Sequence, residues 1–177
     1  MFHRRTTSLS TCVASLAATA ALVVAAPGSA SACTQRVFSG PLQDLSPSSA
    51  DPFDGAHARL TMVSRHHGTV AILRLSGVDP AEAGHRYGAH LHSGPCVAGN
   101  PAAAGPHYNV STSTPPVASP ETEVWLDFTV RPHGTALSVA AVPFVPTPGT
   151  RSVVIHAMET DDHGAAGARL ACLPVVW

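Results

Sequence analysis

The sequence predicts an all-β antiparallel fold, a sandwich or closed barrel. Three observations carry this: hydrophobicity alternates in short runs, Gly, Pro and Asp break the runs apart, and no segment shows a helical stripe. The runs are Ala58 to Val63, Thr69 to Leu75, Tyr87 to His92, Val124 to Val130, Thr135 to Val142, Arg151 to Ala157 and Ala168 to Val176. In the fourth, Val124, Leu126, Phe128 and Val130 share one face and Trp125, Asp127 and Thr129 the other, the mark of a half-buried strand. Arg65 to Gly68 and Arg131 to Gly134 place polar residues and a glycine between runs and read as hairpin turns. About seven short strands in one domain hide their edges best by forming a closed barrel or a sandwich. Two connections are long, Ser93 to Thr122 and Met158 to Gly167, and long loops tend to carry function.

Residues 1–32 read as a secretory signal peptide: Arg4-Arg5, an apolar run from Val13 to Ala26, and the small triplet Ala30-Ser31-Ala32. The run is too short and too rich in Ala and Ser for a transmembrane helix, so an extracytoplasmic protein is expected. Arg4-Arg5 also allows a twin-arginine signal, and Cys33 just after the cleavage point allows a lipid anchor on a cell-surface protein. Residues 33–54, rich in Ser, Pro and Gly, are expected as a flexible linker, with the domain over 55–177.

Without Arg4 and Arg5 the chain carries a formal charge of −3, which excludes the basic footprint of nucleic-acid binding. Cys33, Cys96 and Cys172 remain after cleavage, so one disulfide is expected, with Cys33 left over.

His90 and His92 flank Leu91 at the end of an alternating run, so both imidazoles leave the sheet on one face. His156 has the same outward parity after Val153 and Ile155, and His107 lies on the long loop that begins near His92. An imidazole-only set suits Cu(II) better than calcium or magnesium, and zinc is compatible by ligand type.

Five ordered segments resemble the copper/zinc superoxide dismutases: Gly88-Ala89-His90-Leu91-His92, Cys96, Ala104-Gly105-Pro106-His107-Tyr108-Asn109, Arg151-Ser152-Val153-Val154-Ile155-His156 and Gly167-Ala168-Arg169-Leu170-Ala171-Cys172. The resemblance spans roughly Gly55 to Trp177 and implies a Greek-key antiparallel β-barrel or sandwich of the immunoglobulin-like, superoxide dismutase type. It implies that His90, His92, His107 and His156 hold one copper ion, and that Cys96 pairs with Cys172. It also implies that Arg169 attracts the superoxide anion and that His107 takes part in proton transfer.

The chain departs from the zinc-containing members in having no histidine between His107 and His133, so zinc is not expected. It is similar to a copper-only branch, whose activity would convert superoxide to oxygen and hydrogen peroxide. The alternative is an extracytoplasmic copper carrier on the same fold. With zinc gone, the free nitrogens of His107 and of its neighbouring ligands need other partners. By the resemblance, Glu123 falls near the place of the zinc aspartate and Asp161 or Asp162 near an aspartate the family keeps behind its ligands, so Glu123 or Asp161 is expected to hydrogen-bond a ligand imidazole. The sequence carries no sign of oligomeric state.

Overall fold

A computed structural model describes residues 33–177. The expected signal peptide lies outside the described residues. The strands are β1 (Thr34–Pro41), β2 (Gln43–Asp44), β3 (His57–Arg65), β4 (Gly68–Ser76), β5 (Arg86–Tyr87), β6 (Ala89–His92), β7 (Phe128–Thr129), β8 (Ala136–Val142), β9 (Thr150–His156) and β10 (Arg169–Val176). Among the described residues there is no α-helix, only 3-10 turns at Pro80–Glu82 and Pro101–Ala104. One sheet has the order β1-β3-β4-β8, a second the order β2-β10-β9-β6, and β5 with β7 makes a small ribbon. All pairings are antiparallel, and the all-β fold takes the form of a sandwich.

Alternation builds the core. On β3 and β4, Ala58, Leu60, Met62, Ala71, Leu73 and Leu75 point inward, while Arg59 and Arg74 point to solvent. From the second sheet Ala89, Leu91, Val153, Ile155, Ala171 and Leu173 meet them. Burial of each Leu or Ile stabilises by about 1.5–3 kcal/mol. Phe53 seals one region, its ring edge-on to Tyr87 and Phe128 with centroids 5.0 and 6.1 Å away. The second sheet is also covered on its outer face, where Leu45, Ala104, Val154 and Cys172 form a smaller apolar cluster.

Two expectations need correction. Residues 33–54 are not a linker: β1 pairs along its whole length with β3, and β2 pairs with β10 at Ala171 and Cys172. Leu45 and Phe53, both 2% exposed, belong to the packed interior. β1 escaped the periodicity reading because it is an edge strand exposed along most of its length, with only Phe38 packed against the core. The run Val124 to Val130 keeps its burial parity, but only Phe128–Thr129 joins a ladder. The preceding residues lie against β6, where the Leu126 amide donates to the Ala89 carbonyl at 2.6 Å and the Leu91 amide to the Val124 carbonyl at 3.2 Å.

No helix of the described residues is long and apolar enough to cross a membrane. Cys33 is exposed and unpaired, while Cys96 and Cys172 form a disulfide.

Leu126, fully buried, tests the packing. Leu126→Ala is expected to lower unfolding stability by about 2–5 kcal/mol, and Val139→Thr on the exposed face by no more than about 0.5 kcal/mol, in urea titrations.

Candidate metal site

β6 and β9 are neighbours, with His90 opposite Val154 and His92 opposite Ser152. Their core-facing partners Ala89, Leu91, Val153 and Ile155 send the alternate side chains to the outer face of the second sheet. His156 ends β9 on that face. The loop after β6 returns beside it, because His107 bridges His92 and the Tyr108 amide donates to the Leu91 carbonyl at 2.7 Å. The expected long loops then close over the rings. His90 and His92 have no exposed surface and His156 only 4%. One nitrogen from each of His90, His92, His107 and His156 lies within 4.8 Å of every other, so the group can hold a metal ion.

The hydrogen bonds behind the rings determine where their lone pairs point. His92 Nδ1–H donates to the Gly105 carbonyl at 3.0 Å, and His156 Nδ1–H to the Gly167 carbonyl at 3.2 Å. Carbonyls only accept, so both Nε2 atoms carry lone pairs. His107 Nδ1–H donates to Glu123 Oε2 at 2.8 Å, which leaves its Nε2 free as well. His90 is reversed. Thr160 gives its single hydroxyl proton to Asp127 Oδ1 at 2.7 Å and therefore accepts from His90 Nε2–H, also at 2.7 Å. His90 Nδ1 is left buried with no partner. The site thus presents Nδ1 of His90 and Nε2 of His92, His107 and His156.

The His92 and His156 Nε2 atoms are 3.2 Å apart. Two facing lone pairs at that distance repel unless a cation lies near them. A proton is a poor substitute. Burial pushes His90 down to about 2, with the neighbouring rings adding to it. Burial likewise holds His92 at about 3 and His156 at about 4, despite the opposing carbonyl hydrogen bonds. These rings are neutral at physiological pH, the state a metal ion requires.

Of the two expected carboxylates, Glu123 reaches a ring, that of His107. It is 3% exposed, and burial would raise its pKa, but hydrogen bonds from His107, Trp125 and Asn109 outweigh that and hold it below the usual carboxylate range. Trp125 Nε1 donates to Oε2 and Asn109 Nδ2 to Oε1, each at 2.8 Å. Asp161, the other expected carboxylate, does not reach a ring. Its Oδ1 accepts from the His163 and Ala165 amides at 2.8 and 2.9 Å, so it shapes its own exposed loop.

Arg169 lies opposite His156 across the β9–β10 pair, where a bulge interrupts the register before Ala171. Bulges beside sites re-aim side chains. Its guanidinium donates to the Pro101 carbonyl at 2.6 Å and to the Gly105 carbonyl at 2.7 Å. Gly105 O therefore serves both Arg169 and His92. The loop bearing it is tied down by the Cys96–Cys172 disulfide and by Ser152 Oγ donating to Gly94 O at 2.9 Å. Gly94 passes so close to Ala103 and Ala104 that a Cβ would meet their backbone. An open depression of about 670 Å³ leads to His107, with Glu123, Arg169, Arg151 and His163 in its wall.

The structure therefore brings together the four predicted histidines, Arg169 and Glu123, and leaves Asp161 apart. Thr160, Asp127 and the carbonyls of Gly105 and Gly167 were not predicted. A sequence signal existed for Asp127 alone, which has outward parity in the Val124 to Val130 run. Comparison of the chain with protein-family models and with curated proteins finds no match.

The low values of His90, His92 and His156 have a stability consequence. A lowered folded-state pKa stabilises fully above the unfolded value, about 6.5 for histidine, and that contribution is lost as pH falls toward the folded values. The Tm of the metal-free protein is expected to fall between pH 7 and pH 4, with a shallower slope in His92→Gln, measured by scanning calorimetry.

Proposed function

We propose that this chain is an extracytoplasmic, copper-dependent superoxide dismutase with no zinc site, converting superoxide to oxygen and hydrogen peroxide. The observation that carries this reading is the set of four inward lone pairs beside Arg169 at the end of an open depression. The unpartnered Nδ1 of buried His90 fits a metal ion, and an all-imidazole donor set suits copper. Copper bound there would supply a one-electron couple that accepts an electron from one superoxide and returns it to a second.

The remaining work falls to the protein. His90, His92 and His156 are held from behind by Thr160, Gly105 and Gly167, so their rings keep position whatever the charge of the ion. His107 differs in two ways: its side chain is 18% exposed, and the group behind it is a carboxylate rather than a neutral oxygen. When its Nε2 is not ligating, a proton taken up there makes an imidazolium whose charge Glu123 balances. That suits His107 to pass a proton to the reduced oxygen species. Arg169, with part of its fork occupied by carbonyls, presents its charge on the route to the rings and attracts a small anion locally.

The formal −3 of residues 33–177 gives no long-range attraction for superoxide, so Arg169 acts at short range. A copper carrier on the same fold would hold the ion without turnover.

The test is superoxide consumption by the copper-loaded chain. Catalysis above free-ion background is expected, with kcat/KM falling about 10- to 100-fold in Arg169→Ala while copper content is unchanged. Tight copper binding with no turnover above background would identify the carrier instead. Glu123→Gln, whose carbonyl still accepts from His107 and Trp125 while its amide loses the bond from Asn109, removes the charge and is expected to lower kcat most at high pH, where protons are scarce, by about tenfold in rapid-mixing assays.

A further inference from the structure

The sheet that does not carry the four-histidine group holds an arrangement that the proposed chemistry does not use. Arg59 on β3 is paired directly with Arg74 on β4, and both are exposed. Their Cβ atoms are about 5 Å apart in such a pair, and like charges placed so destabilise a sheet. Nothing among the described residues offsets this. The ion pairs there involve other residues, and the guanidinium hydrogen bonds belong to Arg151 and Arg169.

The surroundings supply further donors. Parity places His57, two residues before Arg59, and Ser76, two after Arg74, on the same outward face, where they are themselves partners. Ser39 of β1 is opposite Arg59. All five side chains are exposed and line one depression of about 340 Å³. The adjoining row, Val37, Thr61, Ile72 and Val139, holds no charge, so on that side the arginines face apolar surface.

We propose that Arg59, Arg74, His57, Ser39 and Ser76 form a binding site for a tetrahedral oxyanion, a phosphate or sulfate group. Two guanidinium forks match the oxygens of such a group bidentately, and the hydroxyls and imidazole supply shorter donors at its rim. The anion neutralises the opposed arginines, which explains why the sheet carries them without a carboxylate. The phosphate has two sources, a free ion or a lipid headgroup, and the same donors serve both. The site is independent of the metal site, which uses the other sheet.

Calorimetric titration of the mature chain with inorganic phosphate and with sulfate, against sodium chloride of equal ionic strength, tests this. Saturable one-to-one binding is expected, weakened about tenfold or more in Arg59→Gln or Arg74→Gln and unchanged in Arg169→Gln. At low salt without phosphate, Arg59→Gln should unfold at a higher temperature than the parent, since the repulsion is gone. Co-sedimentation with phosphatidylglycerol vesicles but not phosphatidylcholine vesicles, abolished in Arg59→Gln, assigns the phosphate to a lipid headgroup. Calorimetric binding without co-sedimentation assigns it to a soluble ion. The proposal is overturned if chloride gives the same heats, if the Arg59→Gln/Arg74→Gln double variant binds as the parent does, or if only Arg169→Gln abolishes binding.

Discussion

Four nitrogen lone pairs aimed at one point repel one another, and the fold sustains that arrangement because every imidazole is anchored by its other nitrogen. The anchors come from distant parts of the chain: Gly105 and Gly167 carbonyls, the Thr160 hydroxyl and the Glu123 carboxylate. Each is held in turn. Asp127 orients Thr160, also accepting its amide at 2.9 Å, and Trp125 and Asn109 orient Glu123. The long loops are thus specified by hydrogen bonding more than by apolar packing. This is the expected solution where the outer face of a sheet must be covered by irregular backbone whose polar groups still need partners.

The difference among the anchors sets one ring apart from the other three. Three rings lean on uncharged oxygens and are deeply buried, which suits permanent ligation. His107 leans on an ionised carboxylate and borders solvent, so it alone combines solvent access with a counter-charge. The Glu123 carboxylate places negative charge directly behind the His107 ring.

Strand parity made much of this legible from the residues alone. His90, His92 and His156 occur on the face opposite Leu91, Val153 and Ile155, and a period of two is local information. Glu123 was legible only through the family resemblance, from its place near the zinc aspartate of the zinc-containing members. Asp161 was not distinguishable from it, because the choice depends on whether a loop turns its carboxylate inward or caps its own amides. Carbonyl anchors are invisible in a sequence, since every residue has one. The first strand was missed for a related reason: an edge strand with most side chains in solvent has no alternation to read, and its Ser and Pro content imitates a linker.

The anchors also impose an order of events. His90 and His92 are in the middle of the chain, but the carbonyl that turns His156 and the guanidinium that shares Gly105 O belong to residues 167 and 169, at the entrance to the last strand. β10 is an interior strand, flanked by β2 and β9. A chain emerging N-terminus first therefore has no finished chelate until its final segment docks, and histidines exposed before then would have neither tautomer nor spacing imposed on them. The donor geometry of the four-histidine group is accordingly a property of the completed fold, set only once the last strand is in place.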